Sequence, residues 1–271
     1  MIQFTVTARA VCYDSDMQIL HITDPHLYGR ADGQLRGVVT DASLRAVLDD
    51  AFLQVPDYAA ILVTGDLVQD DPAGYLRFRS IFGNIQQPVL CIPGNHDDPA
   101  AMQRELNGAP FQICGTHRVD RWQFIMLDSY EAGHVGGRLI DAELARLDAQ
   151  LAQSDAHAVV CLHHHPLAMG SLWLDGIGLA NPQEFWRIID AHPNVRAVVW
   201  GHVHQVYDGQ RGKVRLFATP STGAQFLPSS DRYAVDVRPP AYRRFELHPD
   251  GRIDTAVRWI DTKVLPQAAW R

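Results

Sequence analysis

Apolar and polar positions along this chain follow two rhythms. Short, mostly apolar runs recur at 18–23, 59–64, 89–92, 124–127, 158–162, 195–200 and 214–218. Apolar, β-branched runs of this length predict buried strands. Between several of them the helical period takes over: Leu44, Val47, Leu48 and Phe52 share one face, as do Leu144, Leu147 and Leu151, and again Phe185, Ile188 and Ile189. Asn181-Pro182-Gln183-Glu184 reads as an N-cap, a proline in the first helical position and a capping glutamate. Alternating strands and helices predict a layered α/β fold. From Tyr242 to Ile260 the pattern predicts a terminal hairpin that turns at Asp250-Gly251. No repeat, low-complexity stretch or Gly/Ser linker interrupts the chain. The expected organisation is therefore one domain over 17–271, preceded by an extension over 1–16.

Five of the apolar runs end in clusters of polar and ionisable residues. "ILHITDPH" ends in Asp24 and His26, "ILVTGD" in Asp66, and "VLCIPGNH" in Asn95 and His96. "VVCLHHHP" ends in His163, His164 and His165, and "VVWGHVH" in His202 and His204. A plain turn would account for Gly94, Asn95 and Asp97 taken alone. It does not account for the same punctuation directly after five separate runs. In open α/β sheets ligands bind beyond the carboxyl ends of the strands, so the five would converge on one edge.

Composition narrows the chemistry. No stretch approaches the roughly 20 apolar residues of a membrane span, and the N-terminus lacks the pattern of a signal peptide. The four cysteines at 12, 91, 114 and 161 form no C-x-x-C pair. Cys91 and Cys161 fall inside apolar runs, where a reduced thiol behaves as a small hydrophobe. A cytoplasmic protein without disulfides is expected. The net charge of −7 argues against nucleic-acid and membrane-surface partners. Of 13 histidines, seven lie in the clusters above. Carboxylate, imidazole and amide oxygen together suit manganese, iron, zinc and similar first-row ions. Two carboxylates with four or more histidines exceed the needs of one ion and fit a pair about 3.5–4 Å apart. Two divalent ions against Asp24 and Asp66 leave about two positive charges, which lets an acidic protein attract a phosphate.

The order D-x-H, G-D, G-N-H-D, H-H-H-P, G-H-x-H, from Met17 to His204, resembles the calcineurin-like metallophosphoesterase superfamily. "WLDGIGLANPQEF" (173–185) and "ATPSTGAQFLP" (218–228) extend the resemblance to bacterial class III 3′,5′-cyclic AMP phosphodiesterases of the CpdA (Icc) type. The resemblance implies a four-layer αββα sandwich with a binuclear centre of iron or manganese, zinc, cobalt and magnesium being alternatives. Asp24, His26 and His204 would hold one ion and Asn95, His163 and His202 the other, with Asp66 bridging. His163 is chosen from the triple because it ends the apolar run directly. His96 matches the catalytic histidine beside the leaving group, and a bridging hydroxide would be the nucleophile. Asn95, His96, His164, His26, Trp173 and Thr222 would contact the substrate, a small cyclic nucleotide. For Trp173 plain packing is an equal alternative, and for Thr222 and Gln225 a turn is the stronger one. His21, His117, His134, His157, His192 and His248 take structural roles in this reading. The expected activity is hydrolysis of 3′,5′-cyclic AMP to 5′-AMP by a monomer or homodimer. Another small diester, such as a 2′,3′-cyclic nucleotide or a glycerol diester, is the alternative substrate. A non-catalytic interaction module is the alternative from another class.

Overall fold

The computed structural model describes residues 15–261, so most of the expected extension, and Cys12 with it, lies outside the described residues. Two six-stranded sheets face each other. The first contains β1 (Met17–Ile22), β4 (Tyr58–Val63), β5 (Val89–Cys91), β6 (Phe111–Ile113), β15 (Ala241–Leu247) and β16 (Ile253–Trp259), in the order β16-β15-β1-β4-β5-β6. The second contains β7 (Gly115–Val119), β8 (Trp122–Met126), β9 (His157–Leu162), β10 (Val195–Trp200), β11 (Tyr207–Arg211) and β12 (Val214–Ala218), in the order β11-β12-β10-β9-β8-β7. The central pairs β1·β4, β4·β5, β8·β9 and β9·β10 are all parallel. Their carboxyl ends therefore open at a common edge within each sheet.

The crossovers supply the outer layers. α1 (Thr40–Gln54), α2 (Gly74–Phe82) and α3 (Pro99–Glu105) cover the first sheet, and α4 (Asp141–Ala152), α5 (Leu172–Asp175) and α6 (Pro182–Ala191) belong to the second. Strand alternation then fills three cores. On β4, Ile61 and Val63 pack with α1 and α2, whereas Ala60 and Leu62 turn inward. On β9, Val160 and Leu162 pack with α4 and α6, whereas Val159 and Cys161 turn inward to meet the first sheet. These two strands are thus apolar on both faces, which is why their runs show no polar alternation. The result is the expected αββα sandwich. No helix among the described residues is long and apolar enough to cross a membrane.

Two local expectations change. Pro182 opens α6 as expected, but Asn181 makes no side-chain cap. Its amide instead accepts from Leu139 N (3.1 Å) and donates to Leu139 O (2.8 Å), joining the segments that lead into α4 and α6. The terminal hairpin forms, but with a longer connection than Asp250-Gly251 alone. His248 N donates to Arg252 O (3.0 Å), and Gly251 takes φ 89° as the left-handed residue of the loop. Two small hairpins complete the frame: β2 (Gln34–Leu35) with β3 (Val38–Val39), and β13 (Gln225–Phe226) with β14 (Val235–Asp236).

Candidate active site

The polar clusters do meet. Asp24 and His26 follow β1, Asp66 follows β4, and Asn95 and His96 follow β5 in the first sheet; His163 follows β9, and His202 and His204 follow β10 in the second. Four groupings of their donor atoms lie within 4.8 Å: Asp24, His26 and His204; Asp24, Asp66 and His163; His26, Asp66 and His96; and His163, His164 and His202. The backbone is bent to achieve this. Asp24, His26, Asp66, His202 and His204 all sit at positive φ, between 47° and 66°. A non-glycine residue there is held at a cost of order 1–3 kcal/mol, which concentrates at functional sites. Two glycines allow the loops to close. A Cβ at Gly94 would meet His163 Cε1 at 2.7 Å, and one at Gly65, which turns at φ 100°, would run into the His163 ring.

Hydrogen bonds fix the tautomers. His163 Nδ1 donates to Thr64 O (2.7 Å) and His204 Nδ1 to Ala224 O (2.7 Å). Each ring then turns its Nε2 inward, the nitrogen left to bind a metal. His163 Nε2 lies 3.4 Å from Asp66 Oδ2 and 3.2 Å from Asn95 Oδ1, so one positive charge, a proton or a metal ion, can serve all three atoms. His204 Nε2 lies 3.4 Å from Asp24 Oδ1 and 3.1 Å from His26 Nε2. Such close sets of nitrogen and oxygen atoms need a proton or a metal ion among them. His26 Nδ1, His164 Nε2 and both nitrogens of His165 are buried without a hydrogen-bond partner. The donor set therefore fits divalent ions.

Ionisation says the same. Burial pushes the His26 imidazole down to about 3, and it pushes His202 and His164 well below the ordinary histidine value. Burial also opposes the charged form of His163, but the carboxylates of Asp66 and Asp24 outweigh it and bring that imidazole up to about 9. In Asp66 burial is overcome by His163 and His26, which hold the carboxyl well below its usual range. The centre thus demands cationic charge beside the two aspartates.

His96 is half-buried on the wall of the cleft, and its backbone N–H donates to Asp66 Oδ1 (2.9 Å). Its Nδ1 lies 2.9 Å from Asp70 Oδ2 and 2.8 Å from Gln69 Nε2, so these two side chains orient the ring. Gln69 Nε2 donates to the same carboxylate (2.8 Å). Patterning carries no signal for Asp70 beyond its proximity to Gly65-Asp66. Asp97, a turn residue by its sequence, does more than turn the chain. It is buried and accepts from Gly94 N (2.8 Å), Leu67 N (3.1 Å), Val68 N (3.3 Å) and the Tyr75 hydroxyl (2.8 Å). Burial, with the charge of Asp66, pushes its carboxyl up to about 7. Asp98 then caps α3 through Ala100 N and Ala101 N. The five residues Gly94 to Asp98 thus divide into close approach, donor, cleft histidine, loop tie and helix cap.

The expected substrate contacts separate. His26, Asn95, His96 and Trp173 line the cleft. His164 is fully buried behind it, its ring against His163 and His202 and its Nδ1 2.8 Å from Ser129 Oγ. Thr222 is also set back from the cleft: it is buried, its N–H donates to Thr23 O (3.1 Å), and its carbonyl accepts from Ser43 (2.6 Å). Thr222 shapes the loop that carries Asp24, so the turn reading describes it better than a substrate contact does. Gln225 likewise spends its amide on Ser221, Gly223 and Pro239. Among the remaining histidines, His21 is buried between the sheets, 2.8 Å from Thr64 Oγ1 and 2.7 Å from Thr219 Oγ1. Beside Trp173, the cleft wall carries Arg36, Phe226 and Tyr233, which the periodicity does not single out.

A double-sheet α/β sandwich with buried carboxylates and imidazoles at one edge defines a class, the metal-dependent phosphoesterases. This chain belongs to the calcineurin-like phosphoesterase family, whose model matches residues 17–206. It is similar to the 3′,5′-cyclic adenosine monophosphate phosphodiesterase CpdA of Pseudomonas aeruginosa, with 36% identity over 93% of each chain. It is also similar to the enzyme of the same name in Escherichia coli K12, with 37% identity over 94% of each chain. A probable cyclic nucleotide phosphodiesterase of Synechococcus is 34% identical over 91% of this chain and 93% of that one. Among solved structures, the fold matches a dimetal phosphatase from Danio rerio (TM-score 0.59, 14% identity, 92% of this chain and 100% of that one). It also matches GAP50, described as the anchor in the inner membrane complex of Plasmodium (TM-score 0.61, 12% identity, 95% and 97%). A phosphatase and an anchor share the fold, so the fold alone does not fix an activity.

Proposed function

We propose that this protein hydrolyses 3′,5′-cyclic AMP to 5′-AMP as a metal-dependent phosphodiesterase. One observation carries the reading: the likeness to the cyclic AMP phosphodiesterases runs the length of the chain and is not confined to the polar loops. The gathered donor set and the separate His96 speak against a scaffold role, which has no use for either.

Asp24, His26 and His204 would hold one ion, Asn95, His163 and His202 the other, and Asp66 would serve both. When bound, such a pair stabilises charge on the phosphoryl oxygens and lowers the pKa of water. Iron or manganese suits a donor set of oxygen and nitrogen, with zinc, cobalt and magnesium as alternatives. His96 stands beside the departing 3′ oxygen, oriented by Asp70. Water adds at phosphorus, the bond from phosphorus to the 3′ oxygen breaks, and His96 supplies the proton that this oxygen takes up. The substrate lies against Asn95, His26 and Trp173. His164 supports His163 and His202 from behind. Residues 17–271 act as one domain. The free thiols of Cys91 and Cys161, both buried, support a cytoplasmic location.

The test is a substrate panel of cyclic AMP, cyclic GMP, 2′,3′-cyclic AMP and a glycerol diester with metal-reconstituted enzyme. Cyclic AMP should yield 5′-AMP, and ¹⁸O-water should place one label on its phosphate. A 3′-AMP product, or cyclic AMP left intact while the glycerol diester is cleaved, would overturn the cyclic-nucleotide assignment.

A further inference from the structure

The cleft has two walls of different chemistry. One carries His96 and the candidate metal ligands. The other is built from segments that the metal loops do not use: Arg36 at the tip of the β2–β3 hairpin, Trp173 on α5, Phe226 on β13, and Tyr233 between β13 and β14. Arg36 and Gly37 form the two-residue turn of that hairpin, with φ of 51° and 85°. Positive φ at both central positions is the type I′ pattern, whose first position favours Asn, Asp or Gly. A long side chain is a poor choice there on backbone grounds. Arg36 gains no ion pair in exchange, since no carboxylate reaches its guanidinium among the described residues. Instead the guanidinium lies over the Tyr233 ring, 4.9 Å from its centroid. Tyr233 is held edge-on by Trp173 (5.2 Å) and Phe226 (5.3 Å), and Phe226 stacks on His204 at 4.0 Å. A continuous stack therefore runs from a candidate ligand to the exposed Arg36 at the rim.

We propose that Arg36 is a specificity-determining residue of this cleft, its guanidinium forming the platform on which the base of the substrate stacks. The inference rests on the cyclic-nucleotide reading and deepens it. A guanidinium is planar and stacks on aromatic rings through both faces. Tyr233 lies against the guanidinium, and the rest of this exposed group, on the cleft wall, is left for a nucleobase. A glycerol diester has no ring to place there. The platform therefore selects nucleoside diesters over small aliphatic ones by binding, without touching the reacting phosphorus.

The test uses the full-length, metal-reconstituted enzyme with Arg36→Asn and Arg36→Lys. Arg36→Asn gives the turn the residue it prefers, so the variant should melt no lower than wild type. Its KM for cyclic AMP should nonetheless rise about tenfold, a typical worth of one stacked base, with kcat within about twofold. Inhibition by inorganic phosphate, which has no base, should change by less than about twofold, while inhibition by 5′-AMP weakens with the KM. Arg36→Lys keeps the charge but not the plane and should behave like Arg36→Asn. An unchanged KM in Arg36→Asn overturns the proposal. So does a wild-type KM in Arg36→Lys, which would reduce Arg36 to a charge, and so does equal weakening of phosphate and 5′-AMP inhibition. A wild-type enzyme that cleaves bis(4-nitrophenyl) phosphate but not cyclic AMP defeats the functional reading, and the platform with it, before any variant is made.

Discussion

Asp66 and His96 are 2.9 Å apart through the His96 backbone N–H, yet their side chains have different work. Asp66 is buried and faces His26 and His163, so its removal takes away the anion shared by two sites. His96 is half-buried, and Asp70 turns its ring toward the cleft. Asp66→Ala is expected to lower bound metal from about two ions per chain to one or fewer, with activity falling further than in Asn95→Ala. His96→Ala should keep both ions while kcat falls about 10²–10⁴-fold, the usual worth of a positioned acid. Metal analysis beside steady-state rates separates the two. Full metal content and activity in Asp66→Ala would sink the binuclear assignment, and lost metal in His96→Ala would make His96 a ligand.

Among the elements, the site depends on loops that must hold one another. Asp97 is the main tie in the first sheet. Its carboxylate gathers N–H groups from the loop after β4 and from its own loop, and it receives the Tyr75 hydroxyl of α2. All four partners are donors, so Asp97→Asn would set an NH₂ group against them. A loss of about 1–3 kcal/mol is expected in urea denaturation of the metal-free protein. Metal affinity should fall about 10- to 100-fold, as it does when ligand-orienting groups are removed. Wild-type stability together with wild-type affinity would show that the two loops do not need this tie. Asn181 is a second tie of this kind, where a helix cap suggested by sequence is given up for a bridge to Leu139. Local capping signals describe one helix end, whereas the bridge satisfies a buried N–H and C=O on another segment.

Over the whole molecule, the sheets enclose a polar residue whose protonation bears on stability. His21 projects between them, bonded to Thr64 from β4's end and Thr219 from β12's end, with Arg243 of β15 nearby. Burial, reinforced by the Arg243 charge, pushes its imidazole from 6.5 down to about 3. Below pH 6.5 the unfolded chain takes up a proton that the folded one refuses. This contribution to stability is therefore complete above pH 6.5 and is lost as pH falls toward 3. The slope approaches about 1.4 kcal/mol per pH unit, or about 2 kcal/mol between pH 7.5 and 5. His21→Gln, neutral throughout, should lose that much less over the same interval in isothermal denaturation of the chelated proteins. Equal slopes for both proteins would mean that His21 is protonated in the folded state.

Elements and their chemistry were legible from the residues alone. Strands buried on both faces need unbroken apolar runs, so β1, β4, β9 and β10 could be read directly, and the donors at their ends stood out as punctuation. The weaker pattern of α2 and α3 was not resolved, since nine and seven residues offer too few turns to establish a period. Periodicity also could not say which histidine of 163–165 faces the centre. That depended on Thr64 O taking the Nδ1 hydrogen of His163 across 99 positions of chain. Nor could it place Thr222 behind the cleft and Arg36, Phe226 and Tyr233 on its wall. Strand ends announce themselves locally, because a buried run must stop where its backbone meets a polar edge. The walls of a cleft are assembled from segments far apart in sequence, and only their packing decides which side chains face one another.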